Sequence, residues 1–425
     1  MMEGFKQVDL INIYDMINNG RVEEGLEKLA ALEKTASHQE KYDILQVYEE
    51  LGLADKSKPI IDELIQHYPD ETELYLIAAE NAIDLDQEED AIEWLLEIKE
   101  KDDNFLQAQM LLADLYQLQG LDEVAETRLL QALQKAPEEP VLLAGLGEYY
   151  LERGDFAKSI PYLKQAEQHG FQYPEGSLSL RLAEAYSATG QFEDAMTYYK
   201  TGLEEKREMN ALFGYAYTAL QVKDYELAAQ KFEELKAMDY EYASLYPYLI
   251  QAYKHQKKWE AAFEAVQEGL KVDNFNDQLY VEAGIVQWSL ENKELAEGYL
   301  KEALALNPAN AEAASVLFSM WHRYEDYDDM IDLADHLQAL GETDVLFEWN
   351  KARAYAGRDD LEEALPLFDK VYPELKENTV FLDEYGEVLL EMGYKEKAVL
   401  VWNQLLIEEP DNQVAALRIE ELEQE

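Results

Sequence analysis

Few residues of this chain have the types and spacing that chemistry requires. Zinc hydrolases bind their metal through histidines one helical turn apart, and no two of the six histidines have that spacing. Gly145 and Gly147 lack the third glycine and the preceding strand of a dinucleotide site, so we interpret them as a place of close helix packing. Cys is absent, which excludes disulfides, thiolate zinc sites and cysteine nucleophiles.

A concentration of carboxylates occurs in the run EDYDDMIDLAD at residues 325–335. The run lacks the glycine of a calcium-binding loop, and it lies where a helix is predicted to begin, so its carboxylates favour the helix dipole. No glycine-rich loop precedes a Lys-Ser or Lys-Thr pair, as a phosphate-binding loop requires. We therefore predict a protein that is not an enzyme and that has no catalytic residue, metal or cofactor.

The charge balance bears on the class of partner. The chain has 90 acidic and 36 basic residues, a formal net charge of -54, and such a field repels nucleic acids, whose binding depends on Lys and Arg. The acidity either keeps the surface solvated or steers a basic partner, and both interpretations are open. The N-terminus has no targeting pattern, and the longest apolar stretch, which begins at Ala398, is too short to span a bilayer. We expect a cytoplasmic protein that does not insert into membranes.

One pattern recurs along the whole chain at intervals of about 34 residues. Its most regular member is a small residue, held in successive repeats by Gly25, Ser57, Ala91, Ala125, Ser159, Ala195, Ala228, Ala262, Ala296, Met330, Ala364 and Ala398. A larger apolar residue follows four positions later in most repeats, so both lie on one face of a helix. Upstream, a glycine such as Gly190 suits the left-handed end of an earlier helix. Each repeat is thus predicted to be two antiparallel helices.

The prolines test this register, because proline is tolerated in turns and in the first turn of a helix. Four of them fall between repeats, at Pro69, Pro137, Pro308 and Pro410. Three others share one place, two residues after the small residue, which we predict to be the first turn of the second helix: Pro59, Pro161 and Pro366. Pro373 lies where a second helix should still continue, so we expect that helix to end a turn early.

A helix-turn-helix repeat of this length, with small residues at two places and proline at its end, resembles the tetratricopeptide repeat. The second small place, in the first helix, is held by Ala79, Ala113, Gly147, Ala183, Ala216, Gly284, Ala352 and Gly386. Larger residues replace the small residue of the first helix in three repeats, at Leu45, Ile250 and Phe318. Met330 replaces the small residue of the second helix, so the repeat at about 311–344 is expected to be distorted. The resemblance covers residues 6 to 410.

The resemblance implies an all-α fold, a right-handed superhelical α-solenoid of about twelve antiparallel helix pairs. Residues 1–410 would form one continuous repeat array, and 411–425 a C-terminal capping helix, as solenoids require. Length and simplicity of organisation are similar to those of the YpiA-like proteins of low-GC Gram-positive bacteria, which implies a bacterial source. The family's transcription regulators and its enzymes carry further domains, and we find no room for one here.

In this family the first helices line the concave side of the superhelix, so the resemblance also indicates where a partner would bind. The inward places of the first six repeats are acidic and lack Lys and Arg: Glu49, Glu50, Glu73, Glu80, Asp84, Asp114, Glu148, Glu152 and Glu184. Those of the next five repeats carry a single acid, Glu312, among aromatic and basic residues: Phe213, Tyr217, Lys254, His255, Trp288, His322, Arg323, Trp349 and Arg353.

These nine residues are the candidate partner-binding residues. Either they bind a protein or peptide segment that carries acidic and apolar groups, or the aromatic residues fill a tight superhelix and the bases neutralise nearby acids. In the first case Trp288 and Trp349 would stand free of the core. Three functions follow: a protein–protein interaction scaffold or adaptor, a receptor for a short peptide or small metabolite, and, remotely, an unrecognised enzyme. The sequence says nothing about the oligomeric state.

Overall fold

The computed structural model describes residues 10, 12–17 and 19–424, with side chains up to residue 422. Every regular element within these residues is an α-helix, which confirms the all-α fold class. The chain divides into two compact units, Met1–Ala211 and Leu212–Glu425, called here the N-terminal and C-terminal units. Residues 1–9, 11 and 18 of the predicted array and the last residue of the predicted cap lie outside the described residues. The continuity of the array over 1–410 and its right-handed path stay predictions.

The N-terminal unit consists of consecutive helices joined by short turns, in which odd numbers are first helices of a repeat and even numbers are second helices. The helices are α1 (12–17), α2 (Val22–Glu33), α3 (His38–Glu50), α4 (Ala54–His67), α5 (Thr72–Asp84), α6 (Glu88–Glu97), α7 (Phe105–Leu118), α8 (Asp122–Lys135), α9 (Pro140–Glu152), α10 (Phe156–Gln168), α11 (Leu178–Ala188) and α12 (Phe192–Glu205). The recurring small residues from Gly25 to Ala195 therefore all lie in second helices, as predicted.

The C-terminal unit continues the same alternation. Its helices are α13 (Met209–Gln221), α14 (Tyr225–Met238), α15 (Leu245–His255), α16 (Trp259–Val272), α17 (Asp277–Ser289), α18 (Lys293–Leu306), α19 (Ala311–Tyr324), α20 (Tyr327–Ala339), α21 (Val345–Gly357), α22 (Leu361–Leu375), α23 (Thr379–Glu391), α24 (Lys395–Glu408) and α25 (Gln413–Gln424). The first of these begins shortly before the boundary between the units. The last is the predicted capping helix.

The recurring small residues lie where the helices of a repeat meet. The second-helix residues from Ser57 to Ala398, Met330 included, are all 0% exposed. The first-helix glycines leave no room for a side chain: a Cβ on Gly284 would lie 2.5 Å from Cγ of Leu300. Leu300 is the large residue four positions after Ala296. The small residue of the first helix and the large residue of the second helix therefore pack against each other within one repeat.

The turn inside each repeat contains one residue in the left-handed conformation. Glycine holds this place in six repeats, for example Gly190 with a φ of 76°. In the other six it is held by Asp86, Lys223, Lys257, Glu291, Glu325 and Asp359, with φ between 55° and 65°. A side chain is disfavoured in this conformation by about 1–2 kcal/mol. The glycines at this place were predicted, and the other six residues were missed because their types do not indicate it.

The prolines of the second helices correct two predictions. Pro59, Pro161 and Pro366 are the sixth residues of α4, α10 and α22, one turn later than predicted. All three are exposed, so water can reach the carbonyl that each proline leaves without its helical partner. Pro373 also lies inside α22, which continues to Leu375 instead of ending early. It lies in the last turn, where few later residues depend on the lost hydrogen bond.

The repeat formed by α19 and α20 is distorted, as predicted. Phe318 and Met330, which meet where other repeats place at least one small residue, are 1% and 0% exposed. As a result α19 and α20 pack less closely than the helices of the neighbouring pairs α17/α18 and α21/α22. Two large side chains at one contact hold the helices apart.

Helix α25, which lies where a capping helix was predicted, packs on the preceding helices through its apolar face. Ala415 is 0% and Ile419 8% exposed, and both belong to the core around Trp402. The Arg418 guanidinium lies 5.2 Å from the Trp402 ring and 2.5 Å from Asp383 of α23.

Among the helices described, none has both the length and the apolar character needed to cross a bilayer.

Candidate partner-binding surface

The first helices of the C-terminal unit contact their neighbours in a row, α15 with α17, α17 with α19 and α21 with α23. Side chains join them: Lys254 Nζ lies 2.5 Å from Glu282 Oε2, and Trp349 Nε1 donates to Glu384 Oε2 at 2.9 Å. We call the surface along this row, from α13 to α23, the first-helix surface. All nine predicted binding residues belong to these helices.

An aromatic cluster occupies the α13 end of this surface. The Tyr248 ring of α15 lies 5.5 Å from Phe213 and 5.4 Å from Tyr217, edge to face with both. Phe213 also contacts Phe232 and Tyr242, each at 5.7 Å. Phe213 is half-buried by these contacts, whereas Tyr217 is 36% exposed. Tyr217 therefore presents aromatic surface to solvent, and Phe213 supports it from below.

The two basic candidates on α15 already have partners within the chain. Lys254 and Glu282 form an ion pair whose side chains are only 24% and 16% exposed. The exposed His255 ring stacks on Tyr225 of α14, with centroids 4.3 Å apart and planes 9° from parallel. Lys254 is therefore neutralised in place, and His255 faces toward a second helix.

Trp288 and His322 have polar atoms that find no partner among the described residues. Both side chains are half-buried, and Nε1 of Trp288 and Nδ1 of His322 are buried without a hydrogen bond. Burial, with the nearby positive charge of Arg353, lowers the pKa of His322 and so favours its neutral ring. Leaving such groups unpaired costs about 1–3 kcal/mol each. A bound acceptor would relieve this cost for the indole.

Arg323 follows His322 on α19 and is exposed. Of the Lys and Arg candidates on the first-helix surface, it is the one that makes no ion pair or hydrogen bond with a described residue, since Lys254 and Arg353 are both paired. Its guanidinium offers a planar fork of donors, which matches a carboxylate. The Arg323 guanidinium is thus exposed to solvent and makes no ion pair with a described residue.

Trp349 and Arg353 form a closed network with Glu384 of α23. Trp349 Nε1 and Arg353 Nε lie 2.9 Å from the two carboxylate oxygens, and the guanidinium is 5.2 Å from the indole ring. Burial raises the pKa of Glu384 although Arg353 opposes the shift. Trp349 is only 9% exposed and packs edge to face on Phe381. The expectation that Trp349 stands free of the core is therefore wrong, because the next first helix covers it. It is also wrong for Trp288, which is partly buried and packs against the core that contains Phe318.

A further place on each first helix, two residues before the small residue, was not identified from the sequence as facing the same side. Glu282 and Glu384 hold it in α17 and α23, where they neutralise the bases described above. Arg181 holds it in α11, with Nε 3.2 Å from Glu148. The place lies three residues before an inward place on the same helix, so helical periodicity could have found it.

The first helices of the N-terminal unit bring carboxylates together, as the sequence indicated. Desolvation and repulsion from Glu80 and Asp84 raise the pKa of Glu49 to about 7. Desolvation and repulsion from Glu152 raise the pKa of Asp114 to about 6. No group of His, Asp and Glu among the described residues has an arrangement that could hold a metal ion. The acidic surface is therefore a field of like charges.

Comparison with known proteins agrees with this architecture. The family described as YpiA-like, C-terminal tetratricopeptide repeats, matches residues 346–412, and the YpiA-like tetratricopeptide repeats match 117–171. General tetratricopeptide repeat families match 150–213 and 277–310. Proteins with such repeats generally mediate protein–protein interactions.

Two kinds of relatives illustrate the range of similarity. Solved structures include MamA, 20% identical over 39% of this chain and 97% of its own with a TM-score of 0.36. In the APC/C hetero-tetramer Cut9-Hcn1, a chain is 12% identical over 96% of this chain and 95% of its own, with a TM-score of 0.40. The TPR repeat-containing protein YpiA of Bacillus subtilis (strain 168) is 36% identical over 391 residues, 92% of each chain. The chain therefore belongs to the YpiA-like family of tetratricopeptide repeat proteins.

Proposed function

We propose that the protein is a non-enzymatic scaffold or adaptor, and that the first-helix surface of its C-terminal unit binds a segment of a partner protein. One observation carries the proposal: Trp288, His322 and Arg323 offer polar groups that the described chain leaves without partners. They lie on two first helices in contact, α17 and α19. Folded chains pair most of their buried polar groups, so such a concentration favours a ligand that completes it.

The chemistry of these groups defines the segment. Arg323 pairs with a carboxylate, and the Trp288 indole donates to a carbonyl or carboxylate oxygen. The exposed Tyr217 at the α13 end supplies aromatic area for an apolar side chain. The segment therefore carries acidic and apolar groups. Lys254, Trp349 and Arg353 are paired within the chain, and they position the surface without contributing free groups to binding.

Affinity capture with mass spectrometry tests the proposal when it compares matched variants. Arg323→Glu reverses the free charge of the surface. Lys271→Glu makes the same change at an exposed position of the second helix α16 and serves as the control. We expect the native chain and Lys271→Glu to retain the same partner and Arg323→Glu to lose it. If Arg323→Glu retains every partner, binding occurs elsewhere.

The same experiment separates the alternative functions. If the protein is a receptor for a short peptide or small metabolite, affinity capture should retain no protein reproducibly. The peptide or metabolite should instead raise the melting temperature of the protein, because it binds the folded state. Trp288→Ala should then abolish the ligand-induced rise. A chemical change in the ligand during that assay would point to the remote alternative, an enzyme.

A further inference from the structure

A groove lies on the second-helix side of the distorted repeat. It runs between α18 and α20, has a volume of about 370 Å³, and is lined in part by Trp321 of α19. Leu337 in its wall is buried, and Leu304 and Leu333 are half-buried. The groove therefore offers apolar surface in a volume typical of ligand sites, about 300–1,000 Å³.

The groove follows from the two large residues that replace the small ones in this repeat. Phe318 of α19 and Met330 of α20 are both buried in the contact between the helices. They keep α20 away from α19, and this pair packs less closely than its neighbours. The departure from the repeat pattern thus coincides with the groove.

Trp321 also differs from its equivalents in other repeats, three residues after the small place of the first helix. Trp321 is 2% exposed, and its Nε1 has no hydrogen-bond partner among the described residues. In three other repeats tyrosine holds the same place, and its hydroxyl donates to a glutamate of the preceding second helix: Tyr48 to Glu33 at 3.2 Å, Tyr150 to Glu126 at 2.5 Å and Tyr253 to Glu233 at 2.9 Å. The chain satisfies these hydroxyls itself but leaves the indole N–H of Trp321 unsatisfied.

The glutamate that could accept from Trp321 is engaged by another residue. Glu297 of α18 holds the repeat place of Glu126, but its carboxylate accepts from Lys301 Nζ at 2.5 Å. The Lys301 ammonium lies 5.4 Å from the Trp321 ring. Trp321 therefore contributes a buried donor without a partner to the groove wall, and the glutamate at the repeat place of Glu126 is paired with a lysine instead.

The rim of the groove is acidic. Asp329 and Asp332 of α20 line it and are exposed, and Lys301 opposite them is paired with Glu297. Desolvation and repulsion from Glu297 raise the pKa of Asp329. A cation at this rim would relieve the repulsion between the carboxylates.

From these contacts we infer that the groove between α18 and α20 is a second binding site, which takes an extended peptide segment presenting an aliphatic side chain next to a lysine or arginine. The aliphatic group packs against Leu304, Leu333 and Leu337, and the basic group pairs with Asp329 and Asp332. A backbone carbonyl of the segment accepts from Trp321 Nε1. An extended segment fits because the carbonyls of a helix are already used within it. The site is separate from the first-helix surface and does not depend on the proposed function.

The test uses arrays of nine-residue peptides and the full-length chain. One array has a central Leu-Lys, Leu-Arg or Ile-Lys pair, and the other has Glu in place of the basic residue. Ala305→Trp fills the groove from an exposed position of α18, and Ala237→Trp makes the same change at the equivalent exposed position of α14. Affinities of the selected peptides are measured by fluorescence polarisation.

We expect selective binding to the basic array, a loss of more than tenfold in Ala305→Trp and no change in Ala237→Trp. Trp321→Phe should weaken binding by about 2- to 10-fold, the value of one hydrogen bond. Peptides attracted only by the net charge of -54 would bind Ala305→Trp as tightly as the native chain, which would overturn the inference. Equal binding to both arrays, or no selective peptide at all, would also overturn it.

Discussion

Two glycines of one repeat should respond in opposite ways to the same substitution. Gly298 is exposed in the middle of α18, and no atom lies within 4 Å of the place that a Cβ would occupy, so Gly298→Ala should stabilise the protein by about 1 kcal/mol through helix propensity. Gly284→Ala gains the same propensity, but its Cβ would lie 2.5 Å from Leu300 Cγ and 3.2 Å from the Ala296 carbonyl oxygen. Overpacking of this kind costs about 1–3 kcal/mol.

Urea unfolding followed by circular dichroism measures the difference. The propensity gain is common to both variants and cancels when they are compared, so their difference in unfolding free energy gives the steric cost alone. We expect a difference of about 2 kcal/mol, with Gly298→Ala above the native chain and Gly284→Ala below it. Both glycines belong to the pair α17/α18, so they probe the same part of the molecule. Equal stabilisation by both substitutions would refute the contact between Gly284 and Leu300.

Three further predictions use the same unfolding measurement. Glu325→Gly, at a left-handed φ of 61°, should stabilise the protein by about 1 kcal/mol, and Gly190→Ala should destabilise it by a similar amount; the reverse order would contradict the turn geometry. The pKa of Glu49 is raised to about 7 in the folded state, so ionisation of this carboxyl destabilises the fold as the pH rises through 7. The urea midpoint should therefore be higher at pH 6 than at pH 8, and this difference should be smaller in Glu49→Gln. Trp349→Ala should lower the unfolding free energy by about 3 kcal/mol, because it empties a core site and leaves Glu384 without the indole donor; an unchanged midpoint would show that Trp349 is not core.

The repeat architecture could be predicted from the sequence because it depends on contacts between residues close along the chain. A small residue such as Ala296 and the larger Leu300 four positions later share a helix face whatever the rest of the molecule does. Gly190 ends a helix for an equally local reason, its tolerance of positive φ. Prolines between repeats, such as Pro308, mark boundaries through the covalent restriction on φ. These local features were enough to predict that each repeat is a pair of helices and that one repeat is about 34 residues long.

The left-handed residues other than glycine could not be predicted in the same way. Lys257 and Glu325 adopt positive φ because the helices on both sides are fixed by packing, and the turn between them must close in the same number of residues as in its neighbours. The packing energy of the two helices exceeds the local cost. The placement of Pro59 in the second turn of its helix has a similar origin, since its exposed side allows water to replace the lost partner.

The candidate surface depended most on tertiary structure. Sequence periodicity placed Trp349 and Arg353 on an inward face, but Glu384, which engages both, lies 35 residues beyond Trp349 and on the next first helix. Whether a side chain is free or paired depends on the rotation and spacing of neighbouring helices, which no local pattern encodes. The sequence by itself therefore determined which residues share a face of a first helix, through helical periodicity. Only the packing of adjacent repeats decided that Trp349 is buried and that Arg323 makes no ion pair with a described residue.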